Sequence, residues 1–455
     1  MNDSSDEPPP IHEPPELERP AAFIATEKEL DEQLPVSARR GDRDPYAAWR
    51  HRDYSLYSVG SFIASMGAQL QSVTIGYELA QRAGDARSAA FILGLVSLVQ
   101  ALPVMGLALP AGHLADQFDR RRIVLIGLLF TAAGSIVLAW LSLTQHSLPF
   151  IYGCLFFIAT AQALMRPAQQ ALVPQLVPSE VLPNAMTWSS TRWQIASVAG
   201  PALFGPALLL LKNPAWIYLL DGVAMMSFFA FLLFVRAQPR QRDGEPMTWA
   251  SVLVGARFVW NSPLILATIT LDMFAVLLGG AVVLLPVYAE HILYVDATGL
   301  GWLRAAPAIG ALIMAVSIAY MPPMQRAGKV LLWSVMGFGA ATIVFGFSRN
   351  FWLSMLALFF TGAFDAVSVV VRHTLVQLLT PDAMRGRVSA VNSVFISASN
   401  ELGGFESGVA ARFLGLVTAV VAGGVGTIIV VAATALKWPQ VKQLGALEDV
   451  EEMKQ

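Results

Sequence analysis

"AGHLADQFDRRRIVLIG", Ala111–Gly127, is the stretch on which the fold turns. Apolar sequence leads into it and apolar sequence follows. Between the two lie Asp116, Asp119 and three consecutive arginines, Arg120, Arg121 and Arg122. A bilayer interior excludes charge, so a dense charged knot between two long apolar runs reads as a short loop joining two membrane-crossing helices.

The rest of the chain fits that reading. Of 455 residues, 55% are hydrophobic and 14% charged, whereas soluble domains carry roughly 25% charged residues. This is the composition of a polytopic membrane protein. The net charge of −2 says nothing about partners, because the charge sits in a few places. No nucleic-acid partner is expected. The single cysteine, Cys154, can form neither an intrachain disulfide nor a cysteine-based metal site. Residues 1–50, which open "MNDSSDEPPPIHEPPELERP", are acidic and proline-rich. They offer too little apolar surface to offset chain entropy and read as a disordered, solvated tail, with a docking role as the alternative.

A helix needs about 20 mostly apolar residues to cross the hydrocarbon core. Candidate spans lie near 54–80, 88–111, 123–143, 148–171, 187–211 and 215–235. After a polar stretch they resume near 264–290, 297–320, 329–347, 351–378, 388–413 and 416–436. The expected organisation is a tail (1–50), a six-helix half (51–235), a linker (236–263), a second six-helix half (264–437) and a C-terminal tail (438–455). In the linker, Trp249, Val252, Leu253, Ala256 and Phe258 recur at near-helical spacing, as in an amphipathic helix on a membrane surface. Alternate loops hold the positive charge: Arg120–Arg122, Arg236 with Arg240 and Arg242, Arg326 with Lys329, Arg385 with Arg387, and Lys437 with Lys442. Those loops, and both termini, are expected to face the cytoplasm.

An internal repeat supports two halves. "ALVPQLVPSEVLPNAMTWSSTRWQIASVAGPALFG", from Ala171, aligns without a gap with "TLVQLLTPDAMRGRVSAVNSVFISASNELGGFESG", from Thr374. Pro178 meets Pro381, Ser190 meets Ser393, Gly200 meets Gly403 and Gly205 meets Gly408. The fifth span maps onto the eleventh. Duplicated halves related by an axis along the membrane normal are the plan of one large transporter class, with substrate bound between them.

These residues resemble a known family. Gly112-His-Leu-Ala-Asp116-Gln-Phe-Asp-Arg120-Arg-Arg122 is similar to the signature loop between helices two and three of the major facilitator superfamily, with Gln117 in place of a basic residue and Asp119 in place of a glycine. The variant, with "PNAMTWSSTRWQIASVAGPALFG", "LDMFAVLLGGAVVLLPVYA" and "RGRVSAVNSVFISASNELGGFESG", resembles the branch that contains enterobactin exporters and related multidrug exporters. The resemblance covers residues 45–440. It implies an all-α membrane protein of about twelve helices in two pseudo-symmetric halves. It also implies a cytoplasmic gate made by Gly112, Asp116, Arg120 and Arg121. Asp116 would face the positive N-terminus of the eleventh span, an attraction of about 0.3–1 kcal/mol, weak enough to break in every cycle. The alternative, which suits Arg121 and Arg122 best, is that the arginines only fix orientation.

Charged side chains inside the bilayer cost about 2.5–3.5 kcal/mol on insertion scales and mark functional sites. The second half holds Asp272, Asp365, Arg372, Glu401 and Glu406, with Arg304 towards the outer side. The first holds Arg192, and Glu78 near the outer end of its first span. Asp365 and Arg372 share a helix face, and Arg372 can pair with either Asp365 or Asp272. An acid whose arginine partner comes and goes can load and release a proton; a permanent pair would only join two spans. Asp272, Asp365 and Glu401 are the carrier candidates, with Glu406 less central. Arg192 and Arg304 suit structural roles equally well. Asn392 and Asn400 either bond across helices or line the cavity.

No phosphate-binding loop, His-Glu-x-x-His or Gly-x-Ser-x-Gly is present, and the six histidines lack metal-ligand spacing. No enzyme activity, cofactor or metal is expected. The chain reads as a secondary transporter of the inner membrane, a monomer moving an amphipathic small molecule in exchange for protons; export as the direction is what the resemblance implies. Uptake, lysolipid flipping and a non-transporting scaffold or receptor are the alternatives.

Overall fold

A computed structural model describes residues 44–236, 249–322, 324–381 and 384–445. Residues 1–43 of the tail expected over 1–50, linker residues 237–248 and the last ten residues lie outside these; Ala47–Arg50, expected in that tail, instead form a 3-10 turn that buries Ala48 in the core of the first half. The described chain is helical, with no strand. The first half comprises α1 (Arg52–Arg82), α2 (Ala86–Gly106), α3 (Ala108–Gln117), α4 (Arg120–Leu143), α5 (Leu148–Leu172), α6 (Leu182–Leu211) and α7 (Pro214–Leu233). A linker helix follows, α8 (Trp249–Asn261). The second half comprises α9 (Pro263–Leu278), α10 (Leu285–His291), α11 (Ala297–Tyr320), α12 (Ala327–Phe347), α13 (Phe351–Leu379), α14 (Arg385–Leu414), α15 (Leu416–Lys437) and the short α16 (Pro439–Gln443).

The apolar runs are helical because lipid offers the backbone no other partner. Polar residues set their ends. Asp119 accepts from the backbone N–H groups of Arg121 (2.9 Å) and Arg122 (3.4 Å), so the acid standing where the signature has glycine is the N-cap of α4. Asn213 caps α7 ahead of Pro214, and Asn350 caps α13. The second span breaks at Leu107 because Pro110 cannot donate to the Gly106 carbonyl. The seventh span is likewise interrupted between α9 and α10. There Pro286 frees the Val282 carbonyl, and Arg304 Nη1 donates to it at 3.0 Å.

Among the described residues, ten spans are long and apolar enough to cross a membrane. Two more helices of spanning length, α1 and α14, have 31 and 30 residues and a more polar make-up. Outward faces expose Phe156, Leu210, Val223, Trp333 and Trp352, a surface suited to lipid. The chain is a multi-pass membrane protein. On α8, Leu253, Val254 and Trp260 are exposed while Gly255 and Val259 pack inward, Gly255 against the Arg387 backbone at the start of α14.

The repeat persists in three dimensions. α6 and α14 are both 30 residues long, and their ends coincide in the gapless alignment. Gly200 packs on α1, while its counterpart Gly403 packs on α9, the corresponding helix of the other half. Gly205 meets the Thr298 backbone of α11, and its counterpart Gly408 meets Gly94 of α2. A methyl group on Gly94 would lie 2.9 Å from the Gly408 Cα, which only glycine on both sides permits.

The buried clusters show where the halves join. At the end bearing the Ala111–Arg122 knot, one cluster (Tyr54, Leu128, Leu172, Phe228) belongs to the first half alone. Another (Leu271, Leu331, Leu375, Val441) belongs to the second half alone. At the far end the clusters mix: Val73, Phe204 and Ile217 pack with Leu284, Tyr288 and Leu303, and Leu79 and Tyr218 share a cluster with Val287. The halves are joined at the far end and separate towards the knot.

A polar latch accompanies the glycines. Arg412 of α14 donates to the Ser88 hydroxyl of α2 at 2.7 Å, and that hydroxyl donates to Asp85 at 2.7 Å. The Ser88 hydroxyl, aided by backbone N–H groups and by Arg412, holds the Asp85 carboxyl below the usual carboxylate range. A carboxyl depressed in the folded state contributes above its ordinary value and loses that contribution as pH falls through the depressed one. Gly408→Val should therefore open the far end, since such overpacking costs about 1–3 kcal/mol. Cysteines at Ser88 and Arg412, joined by a short bis-methanethiosulfonate crosslinker in a Cys154→Ser background, should crosslink in the parent and several-fold less with Gly408→Val. Equal yields would show that the glycine contact does not hold that end closed.

Candidate functional site

Between the halves lies a cavity of about 730 Å³. The first half contributes Gln69, Gln71, Ser97, Gln100, Arg166 and Trp193 to its wall. The second contributes Arg304, Asp365, Asn400, Glu401 and Phe338. Amides, charges and apolar side chains share that wall.

Of the second-half acids, Asp365 and Glu401 line the cavity, half-buried. Glu401 interacts electrostatically with Arg166 across the cavity and with Arg304 of its own half. Asp272 does not line it. Its carboxylate is paired with Arg372, and both are buried. Of the two pairings open to Arg372, the structure contains the one with Asp272. A void of about 10 Å³, roughly the size of one water, is bounded by Asp272, Asp365, Ser368, Phe338 and Phe364.

The other candidates lie elsewhere. Arg192 is buried and donates to the Ser58 carbonyl (2.9 Å) and the Ser61 hydroxyl (2.8 Å) of α1, with its guanidinium over the Tyr57 ring. It pins α6 to α1. Glu406 takes a long bond (3.4 Å) from Ser407, outside the cavity wall. Asn400 faces the cavity and donates to its own helix at Ile396 (2.9 Å), whereas Asn392 is buried and its Oδ1 accepts no hydrogen bond. Glu78 pairs with Arg82 and accepts from Ser142 (2.8 Å) and Tyr218 (2.7 Å), a knot joining three helices.

At the charged loop, Gly112 and Asp116 sit half-buried on α3, which packs on α5 of its own half. Arg120 donates to the Ala171 carbonyl (2.8 Å). Arg121 donates to the carbonyls of Leu232 (3.0 Å) and Leu233 (2.7 Å). The two arginines cover the negative C-terminal ends of α5 and α7, where cations are favoured.

Arg166 and Asp221 are absent from the residues picked out by sequence, although each interrupts an apolar run. Arg166 sits in "MRPAQQ", close enough to a span end to pass for loop charge. Asp221 stands in the middle of "YLLDGVAMM", where the rule that flagged Asp272 applies equally.

Comparisons agree with this architecture. The family model described as transmembrane secretion effector matches residues 43–453. The enterobactin exporter EntS of Shigella boydii serotype 4 is 26% identical over 386 residues, covering 84% of this chain and 89% of that protein. The enterobactin exporter EntS of Escherichia coli O1:K1 is 28% identical over 320 residues, or 70% and 76%. Among solved structures, a bacterial homologue of the human lysosomal transporter Spinster, inward-facing and occupied, superposes with a TM-score of 0.66. Its identity is 14%, with 88% of this chain and 99% of that one covered. A D-xylose–proton symporter gives 0.65 at 13% identity, covering 84% and 96%. These two likenesses speak to the fold alone.

The buried Asp272–Arg372 pair makes a definite expectation. Asp272→Asn or Arg372→Met strands one charge and should lower stability in detergent by about 3–5 kcal/mol. The double variant should recover most of it. A double variant no more stable than the singles would show that the pair is not what joins α9 to α13.

Proposed function

The chain belongs to the transmembrane secretion effector family of the major facilitator superfamily, and from that premise we propose that it exports an amphipathic, drug-like or siderophore-like molecule across the inner membrane in exchange for protons. It is a secondary transporter, not an enzyme, and its substrate is a small molecule. The observation that carries the finer reading is the cavity shared by both halves, sealed at the far end and bearing two arginines and two acids.

The loops at the knot end hold the positive charge, which supports a cytoplasmic side for them and for both termini. In that orientation the present conformation is inward-facing, ready to take its cargo from inside the cell. Gln69, Gln100, Asn400 and Trp193 offer the hydrogen bonds and aromatic surface for an amphipathic ligand, and Arg166 with Arg304 attracts its anionic part. The similar exporters carry enterobactin by name; a siderophore-like cargo suits two arginines in a partly apolar cavity.

Asp365 and Glu401 are the proton carriers of this scheme. Glu401 is balanced between Arg166 and Arg304, so an anionic substrate competes with it for the arginines. A Glu401 that loses its cations gains a proton. Asp365 reaches Asp272 through the water-sized void, and Arg372 is the partner that switches when α13 moves against α9. When the knot end closes, Asp116 meets the N-terminus of α14 and the loop of Gly112, Arg120 and Arg121 becomes the gate. The protein works as a monomer, because one chain builds the whole cavity.

Reconstituted vesicles with an imposed pH difference and no ATP should transport. Asp365→Asn and Glu401→Gln should each lose at least tenfold of gradient-driven transport while still binding substrate. Transport indifferent to the gradient, or dependent on ATP, would overturn the coupling. Asp116→Asn should impair transport with membrane insertion intact; unchanged rates would leave the loop as a topology signal.

A further inference from the structure

We propose that the first half carries a proton-binding site of its own, the Asp221 carboxyl held between Gln71 and Ser135. It is separate from the second-half acids and stands on different observations.

Asp221 lies on α7, with 0% of its surface exposed. No cation pairs with it among the described residues. A bare carboxylate so placed would be a buried, uncompensated charge, which proteins avoid by pairing or neutralising it. Its surroundings are those of a neutral acid. Gln71 of α1 donates to Oδ2 at 2.9 Å, and Ser135 of α4 lies 2.6 Å from the same oxygen. Gln71 also donates to the Ser135 hydroxyl at 2.9 Å. Oδ1 accepts nothing from the described residues and packs beside Gly67.

The two charge states differ in what they leave unpartnered. The Ser135 hydroxyl has one hydrogen and two acceptors in reach: Asp221 Oδ2, and the Thr131 carbonyl at 3.1 Å. If Asp221 is a carboxylate, Ser135 must choose one, and Oδ1 remains a charged oxygen without a donor. If Asp221 holds a proton, its O–H donates to Ser135, Ser135 donates to Thr131, and Gln71 serves both oxygens. Every hydrogen then has an acceptor. The one vacancy falls on Oδ1, by then a neutral carbonyl oxygen, which tolerates it far better.

The charged and titratable groups facing this site are few. α1 presents Gln71 and Gly67 beside it, with Glu78 two turns away and bound to Arg82. α4 presents Ser135 and Thr131. α7 itself brings Tyr218, committed to Glu78. The site is nevertheless one side chain from the transport path, because Gln71 and Met225, one turn beyond Asp221, both line the cavity. Loading forms one O–H bond on Oδ2 from a hydronium ion of the cavity, which is left as water. Release reverses this when α1 shifts Gln71 away.

Infrared spectroscopy of the purified protein at neutral pH tests the site directly. A protonated-carboxyl C=O stretch is expected, shifted by carbon-13 aspartate labelling, lost in Asp221→Asn and moved to higher frequency in Ser135→Ala. That component should survive Asp365→Asn, which separates this site from the second-half scheme. Spectra of the parent and Asp221→Asn that match in this region overturn the proposal. Should Asp221→Asn fail to fold, an unmoved band in Ser135→Ala does so instead. In vesicles, Asp221→Asn cannot lose a proton and should flatten the alkaline limb of the transport–pH profile. A band that disappears beside an unchanged profile makes Asp221 permanently protonated packing, and overturns its place in the cycle.

Discussion

The backbone approach of Gly94 to Gly408, mirrored by Gly205 against Thr298, is the constraint on which the arrangement rests. In lipid, helices gain nothing from hiding apolar surface from water, so association depends on close packing and on hydrogen bonds. Glycine permits the first and the Asp85–Ser88–Arg412 latch supplies the second. Because the two junctions are related by the internal repeat, they close the far end on both sides of the cavity. Around them lies an apolar cluster drawn from both halves. The cores at the knot end lie inside single halves, so apolar packing across the seam is confined to the far end and leaves the knot end free to part. Rocking of two firm bodies about a breakable seam is the mechanics of alternating access.

The buried charges sort by their partners. Arg192 spends its guanidinium on Ser58, Ser61 and Tyr57, and Glu78 is held by Arg82, Ser142 and Tyr218. These join helices within one half and do not face the cavity. Arg166, Arg304, Asp365 and Glu401 face it from both halves. The Asp272–Arg372 pair stands between the two groups, joining α9 to α13 and touching the void that Asp365 shares. A charge with fixed neutral partners serves packing, whereas a charge that looks across the seam changes its surroundings whenever the seam moves.

The spans, the knot and the repeat were all legible in the sequence, because each is a pattern along the chain. Apolar length marks a span, loop charge marks its ends, and a gapless offset marks duplication. The helix ends of α6 and α14 agree with that offset residue for residue. What the sequence left open was lateral. Helix periodicity places Asp365 and Arg372 on one face, but the acid that meets Arg372 comes from α9, which periodicity cannot locate. Asp119 read as a departure from a motif until α4 was seen to begin on it. Arg121 read as topology because its acceptors, the last carbonyls of α7, lie more than a hundred residues away. The side on which the halves part is a conformation, and no local pattern encodes it.

The asymmetry between the halves follows from the same geometry. The repeat sets Val198 opposite Glu401 and Arg192 opposite Phe395, so the glycines coincide while the charges do not. Mechanical positions must match, because both junctions close one end together. Charged positions need not match, and there is reason for them to differ. Two acids placed symmetrically across one cavity would repel each other and compete for the same cations. Placing Glu401 on one side and Arg166 on the other turns repulsion into attraction across the seam. That attraction favours the two walls at the separation seen here. Under the proposed scheme an anionic cargo competes for Arg166 and Arg304 and so changes the charge balance of the cavity as it binds, which a symmetric pair of walls could not achieve.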